Sequence, residues 1–209
     1  MTFPAIPRRR AALALLLGLL IPGCAGHMPR AFVGEPIRRD LRVAVLPLAN
    51  YTERQDAPDH VAPLLAVEMA RQRGVIVIDP GRVEELFARE PWLLLDRLPP
   101  DLVERFGAEL GADALLIGSV LAFGYRDQDV GAVPEFSVTL RLIETPGGKC
   151  LWSGTQARSG NDHESVFGIG RIDNLERLAN AAVRDLVATF PKTAAGPRSS
   201  NTSQKVEQP

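Results

Sequence analysis

The residues able to do covalent or metal chemistry are few and scattered. The 209-residue chain holds three histidines and two cysteines. His27 lies in a Gly- and Pro-bearing stretch, His60 opens a helical pattern, and His163 sits in the densest polar cluster, "NDHES" at 161–165. Asp162, His163, Glu164 and Ser165 are the types a hydrolase or a metal enzyme would use. Adjacent residues of an extended loop point in different directions, however, and a nucleophile–base pair or a metal set normally draws on separate segments. The cluster therefore reads as a solvated loop. "FGIGR" (167–171) offers two glycines, but it follows no strand and lacks the lysine of a phosphate loop. Zinc-ligand spacing and a Gly-x-Ser-x-Gly elbow are missing from the sequence. The reading is a chain with no catalytic residues, no metal and no cofactor.

Cys24 invites a different chemistry, covalent modification. Arg8, Arg9 and Arg10 precede an uncharged apolar run at 11–21, the layout of an export signal. As a helix that run is about 16 Å long, short of the ~30 Å hydrocarbon core, so it is not a permanent span. Ile21-Pro22-Gly23-Cys24 follows in place of an Ala-x-Ala site. It resembles the bacterial lipobox, in which the cysteine receives diacylglycerol; Pro22 departs from the usual small or hydroxylated residue. Cleavage is expected after Gly23 and lipidation at Cys24, and several acyl chains hold a protein on a bilayer where one alone does not. Ala25 stands where an aspartate would resemble an inner-membrane retention signal. The expected location is the periplasmic face of the outer membrane.

Removing residues 1–23 takes away three arginines and no acid, moving the net charge from −1 to −4. So acidic a chain, without a basic block, excludes nucleic acid as the expected partner. Cys150 is the only other cysteine. It falls in an apolar strand pattern, which predicts burial over reactivity.

The chain divides by composition. Residues 24–40 carry the lipidated cysteine and a Gly- and Pro-bearing tether. Residues 191–209 lack aromatics and read as a disordered tail. The 150 residues between, 41–190, suffice for one globular domain. "LRVAVLPL" (41–48) reads as a strand buried on both faces, and Val61, Leu64, Leu65 and Met69 as a helix running to a cap at Gly74. "VIVID" (75–79) is a second strand, and Asp79-Pro80 starts a helix with Val83, Leu86 and Phe87 inward. A third helix begins near Asp101 with Glu104 as capping-box partner and ends at Gly111. "ADALLIGSVLAF" (112–123) is the third strand, parallel to the first two. "FSVTLRLIE" (136–144) then alternates strictly, "TPGG" turns, and "KCLWSGTQA" (149–157) returns antiparallel. Leu175, Leu178, Ala182, Leu186 and Phe190 make a last helix capped by Asp173 or Asn174. The expected fold is α/β (α+β): one domain, βαβααβββα, with a mixed five-stranded sheet and helices on its faces.

One connection stands out. "REPWLLLDRLPP" (89–100) sets Trp92, Leu93, Leu94 and Leu95 between two helices. It reads either as a cover for the sheet or as an apolar patch that contacts a partner. Trp152 reads as core.

Four stretches together resemble a known family. "RVAVLPLANYT" with its Asn50 and Thr52, Leu110-Gly111-Ala112-Asp113, Gly118-Ser119, and the Gly-Gly hairpin before Leu151-Trp152-Ser153 are similar to those of bacterial envelope lipoproteins with a TolB N-terminal-like domain. That superfamily includes CsgG, PelC and LpoB, and the resemblance covers 41–190. Such markers speak for architecture more than for a job. The resemblance implies a non-enzymatic outer-membrane lipoprotein that assembles or gates an envelope export system for polysaccharide or protein, with envelope proteins as partners and plausibly as a homo-oligomeric ring. The curli exporter in that superfamily inserts two long strand pairs to build its barrel. Here the loop at 124–135 is too short and too charged for spanning strands, so no membrane pore is expected. The alternative is an LpoB-like tethered activator of a peptidoglycan synthase. Its reach would need a long linker, and the sixteen residues after Cys24 extend at most about 55 Å.

Overall fold

The structure, a computed structural model, describes residues 28–34, 36–37, 40–89, 98–128, 131–162, 164 and 170–192. At its centre is β2 (Leu41–Val45), flanked in parallel by β4 (Val75–Val77) and by β5 (Ala114–Gln128). Leu41 and Val43 point to one core and Ala44 to the other, so the strand is buried on both faces. That is why its sequence is a near-continuous apolar run.

Helices follow where the apolar period lengthens. α1 (Ala57–Ala70) buries Ala57, Val61, Leu65 and Met69, one side chain per turn, while Leu64 is half-buried. It ends before Gly74, whose positive φ of 77° makes the turn into β4. α2 (Pro80–Phe87) starts as its sequence implies: Asp79 Oδ1 accepts the Arg82 N–H at 3.3 Å, and proline fills the first turn. α3 (Pro100–Leu110) differs from expectation. Its N-cap is Pro99, without a side-chain cap bond, so Asp101 and Glu104 form no capping box. It buries Val103, Phe106, Gly107 and Leu110, leaving Leu102 half-buried, and ends at Gly111 in the left-handed conformation.

Beyond β5 the sheet becomes an antiparallel meander with β6 (Gly131–Glu144) and β7 (Cys150–Ser159). α4 (Leu175–Val187) lies across it, capped by Asn174, whose Oδ1 accepts the Arg177 N–H at 2.9 Å. Leu175, Leu178, Ala182 and Leu186 are buried, as is Phe190 beyond the helix end. α1 and α4 seal one face of the sheet and α2 with α3 the other, giving two core layers.

The mixed α/β single domain stands as expected, with seven strands where five were read, six of them in the order β1-β7-β6-β5-β2-β4 and the seventh, β3, paired with β5 off that path. Arg30–Val33, in the stretch read as a tether, forms β1 and pairs antiparallel with β7. Ala49–Asn50 forms β3, a two-residue strand beside Ser119 and Val120 of β5. The third difference is at 124–135, read as a loop. There the ladder continues from Gly124↔Glu135 to Gln128↔Gly131, so β5 and β6 form one long hairpin. Val133 is fully buried and Arg126 pairs with Glu135 at 2.8 Å, so packing and charge extend a ladder that composition hid.

Candidate functional site

Cys24, Gly23, Trp92, Leu93, Leu94, Leu95 and His163 lie outside the described residues. The neighbours of His163 that are described do turn-building work. Asp162 Oδ2 accepts the Ser159 N–H at 2.8 Å, and the Glu164 N–H donates to the Asn161 carbonyl. Among the described residues, no group of three or more His, Cys, Asp and Glu side chains is placed to hold a metal ion. Cys150 is half-buried where burial was expected, its Sγ 3.4 Å from the Trp152 carbonyl oxygen. Trp152 is fully buried, its Nε1 donating to Thr189 Oγ1 at 3.2 Å and its ring edge-on to Phe190.

A polar constellation that no motif announced forms where β3 leads into α1. Asn50 braces the turn: its Oδ1 accepts from the Thr52 N–H at 3.0 Å and its Nδ2 donates to the Arg54 carbonyl at 2.9 Å. That turn presents Arg54, which clasps Asp56 with two bonds, Nε to Oδ1 at 2.7 Å and Nη2 to Oδ2 at 3.1 Å. The guanidinium also lies over the Phe123 ring, 5.1 Å from its centroid. His60 stacks on the same ring at 5.5 Å, with Nε2 at 3.0 Å from Asp56 Oδ2 and 3.1 Å from Arg54 Nη2. A neutral Nε2 accepts from Arg54 or donates to Asp56, but one tautomer cannot do both. The Arg54 hydrogen bonds, with smaller help from His60, hold the Asp56 carboxyl well below the usual carboxylate range, and Asp56 in turn raises the Arg54 guanidinium. Arg54, Asp56 and His60 are at least partly open to solvent, whereas the Phe123 ring beneath them is buried. The arrangement is a charged surface cluster seated on a buried aromatic ring of the β5–β6 hairpin. Composition could have flagged Arg54 and Asp56; their convergence with Phe123 is visible only in three dimensions.

A second feature is apolar. Between the N-terminal halves of α1 and α2 lies a groove of about 370 Å³ lined by Val45, Pro47, Leu48, Pro58, Pro63 and Val83, with Asp59 and Glu84 also in its wall. It sits outside the carboxyl ends of parallel strands β2 and β4, the place where open α/β sheets tend to leave a crevice.

The third is the sheet itself. Register places Ser119, Thr139, Thr155 and Arg30 on one face, with Arg141, Ser153 and Phe32 alongside. That face continues the one which α2 and α3 cover at Leu115 and Ile117, but beyond those helices it is left half-buried or exposed. Thr139 and Thr155 join hydroxyls across it at 3.0 Å.

No protein-family model matches this chain, and no curated protein does. Solved structures do. The PelC dodecamer of Paraburkholderia phytofirmans matches with a TM-score of 0.55 at 21% identity, covering 80% of this chain and 99% of that one. A single-residue variant of it in another crystal form gives 0.56 at 22%, covering 79% and 98%. Lipoprotein GNA1162 from Neisseria meningitidis reaches 0.45 at 24%, covering 62% and 90%. At such identities the likeness to PelC establishes a common fold, spanning nearly the whole of that protein.

Proposed function

We propose that this chain is a non-enzymatic lipoprotein, anchored through Cys24 on the periplasmic face of the outer membrane. There it is an assembly or gating component of an envelope export system for polysaccharide or protein. The observation that supports this best is the fold match to PelC, a dodecamer, over 99% of that chain. A ring gives a small domain work that needs no catalysis: each copy holds its neighbours at a fixed height above the bilayer, and the assembly surrounds a path. With the signal removed each copy would contribute a net charge of −4 to that ring.

The hairpin supports a role other than a pore. β5 and β6 are 15 and 14 residues long, but Tyr125, Arg126 and Asp127 near the tip are consecutive partly or fully exposed residues, two of them charged. A lipid-facing strand alternates apolar and polar and closes into a barrel. The synthase-activator alternative depends on reach, and β1 shortens it. Pairing begins at Arg30, six residues after Cys24, which extend at most about 21 Å.

The test is the mass of the full-length chain, processed by its host and extracted from membranes in mild detergent. A particle of many subunits is the expected result. A strict monomer at high protein concentration contradicts the ring.

A further inference from the structure

We infer that the β1 edge is the side of the domain that lies on the lipid surface, with Met28, Phe32 and Val33 as its apolar contacts and Arg30 among the headgroups. The inference rests on the anchoring at Cys24 proposed above and goes beyond it: an anchor fixes where the chain is tied, not which face it turns to the bilayer.

The length of the intervening chain decides the orientation. Five residues lie between Cys24 and Arg30, the first residue of β1, and the six Cα steps span at most about 21 Å. A domain of 150 residues has a radius of gyration of about 15 Å, so it is about 38 Å across. The tie is therefore about half a diameter, too short for the far side to reach the membrane while β1 stays paired. β4 marks that far side, five strand spacings or about 24 Å from β1 across the sheet.

The side chains at the near edge suit the contact. Met28 is 85% exposed, Phe32 58% and Val33 47%. Three of the eight exposed large hydrophobic residues among those described thus fall within six positions of one another. β1 is the outermost strand, so Phe32 on the open face and Val33 on the α4 face both reach the rim. Arg30 lies between them and Met28, where a long cationic side chain can rest its stem on apolar surface and its guanidinium on anionic phosphate. The outer backbone groups of β1 have no strand partner among the described residues. They need water or polar headgroups, so the contact is shallow, at the interface and not in the hydrocarbon. An interfacial cover also shields an edge that would otherwise invite strand pairing.

Fluorescence in vesicles tests this. The acylated full chain is reconstituted into phosphatidylethanolamine–phosphatidylglycerol vesicles with brominated acyl chains, as Phe32→Trp and, at the opposite edge, as Ile76→Trp. The unsubstituted chain supplies the background of the two native tryptophans. Most of the signal added by F32W should be lost to the bromolipid, and that added by I76W should persist. Equal persistence of both in chains that float with the vesicles overturns the orientation while leaving the anchor standing. A F32W signal shielded from an aqueous quencher but untouched by bromolipid assigns the edge to a second copy and also overturns it. Failure to float, with no acyl mass on Cys24, removes the anchoring itself and the orientation with it.

Discussion

Where β2, β4 and the first half of β5 pair, helices cover both faces of the sheet; where β6, β7 and β1 pair, α4 covers one face and the other is left open, with hydroxyl side chains beside Arg30, Arg141 and Phe32. Each half fully buries a large aromatic, Phe106 of α3 in one and Trp152 beneath α4 in the other. They differ in what they leave over. The doubly covered half leaves only scattered large apolar side chains exposed, Val67 and Ile76 among them. The singly covered half keeps an open face, an outer edge at β1 and a projecting hairpin. The open face, the outer edge and the hairpin thus all lie in the half of the sheet that carries the N-terminal strand β1.

The comparison can be broken at its interior first. Phe106→Ala and Trp152→Ala should each cost about 3–5 kcal/mol, as expected for large aromatic truncations in a packed core. Urea unfolding reads both. A small loss for Trp152→Ala alone would show that the singly covered half is loosely packed and the symmetry of the two interiors false.

The open face sharpens the contrast at lower energy. Thr155→Ala removes one hydroxyl of the pair with Thr139, a cross-strand contact worth about 0.2–1 kcal/mol. The isolated chain should lose no more than that. A larger loss that grows with protein concentration would mean that a second copy covers this face.

The smallest effect lies in the Arg54–Asp56–His60 constellation. Asp56 has its carboxyl held below the ordinary range, so its contribution to stability is present in full above about pH 4, the unfolded value. It is lost as pH falls further, through the lower folded value. Asp56→Asn should therefore lower the urea midpoint slightly at neutral pH, and the gap to the unsubstituted chain should close on strong acidification. A gap that widens with acid would reverse the sign of the argument. Because the pair is solvent-exposed, screening keeps the effect modest.

Much of the architecture could be read from the chain because burial leaves a period. Val61, Leu65 and Met69 mark α1, the alternation from Phe136 to Leu142 marks β6, and Asp79-Pro80 marks the start of α2. The misses share a cause: their structure is set by partners far away in sequence. "RAFV" at 30–33 becomes a strand because β7 offers a free edge, and Gly34 closes the pairing with its N–H on the Leu151 carbonyl at 2.9 Å. The ladder at 124–135 continues through charged residues that face water, where hydropathy carries no signal. At α3, Asp101 and Glu104 have capping-box spacing, but Pro99 occupies the N-cap and both acids face solvent. The Arg54 constellation needs Phe123 from another strand, and no local pattern reports that meeting. The readings at Cys24 and at Trp92–Leu95 fall outside the described residues, so the anchor is a matter for chemistry in place of geometry.

Everything proposed about location and orientation begins with the cysteine behind the apolar run. Intact-mass spectrometry of the chain extracted from its host's envelope addresses it directly. The account predicts a polypeptide beginning at Cys24 whose mass exceeds that of residues 24–209 by a diacylglyceryl group and any further acyl chain. A polypeptide that retains residues 1–23, or begins at Cys24 without added lipid, would contradict it.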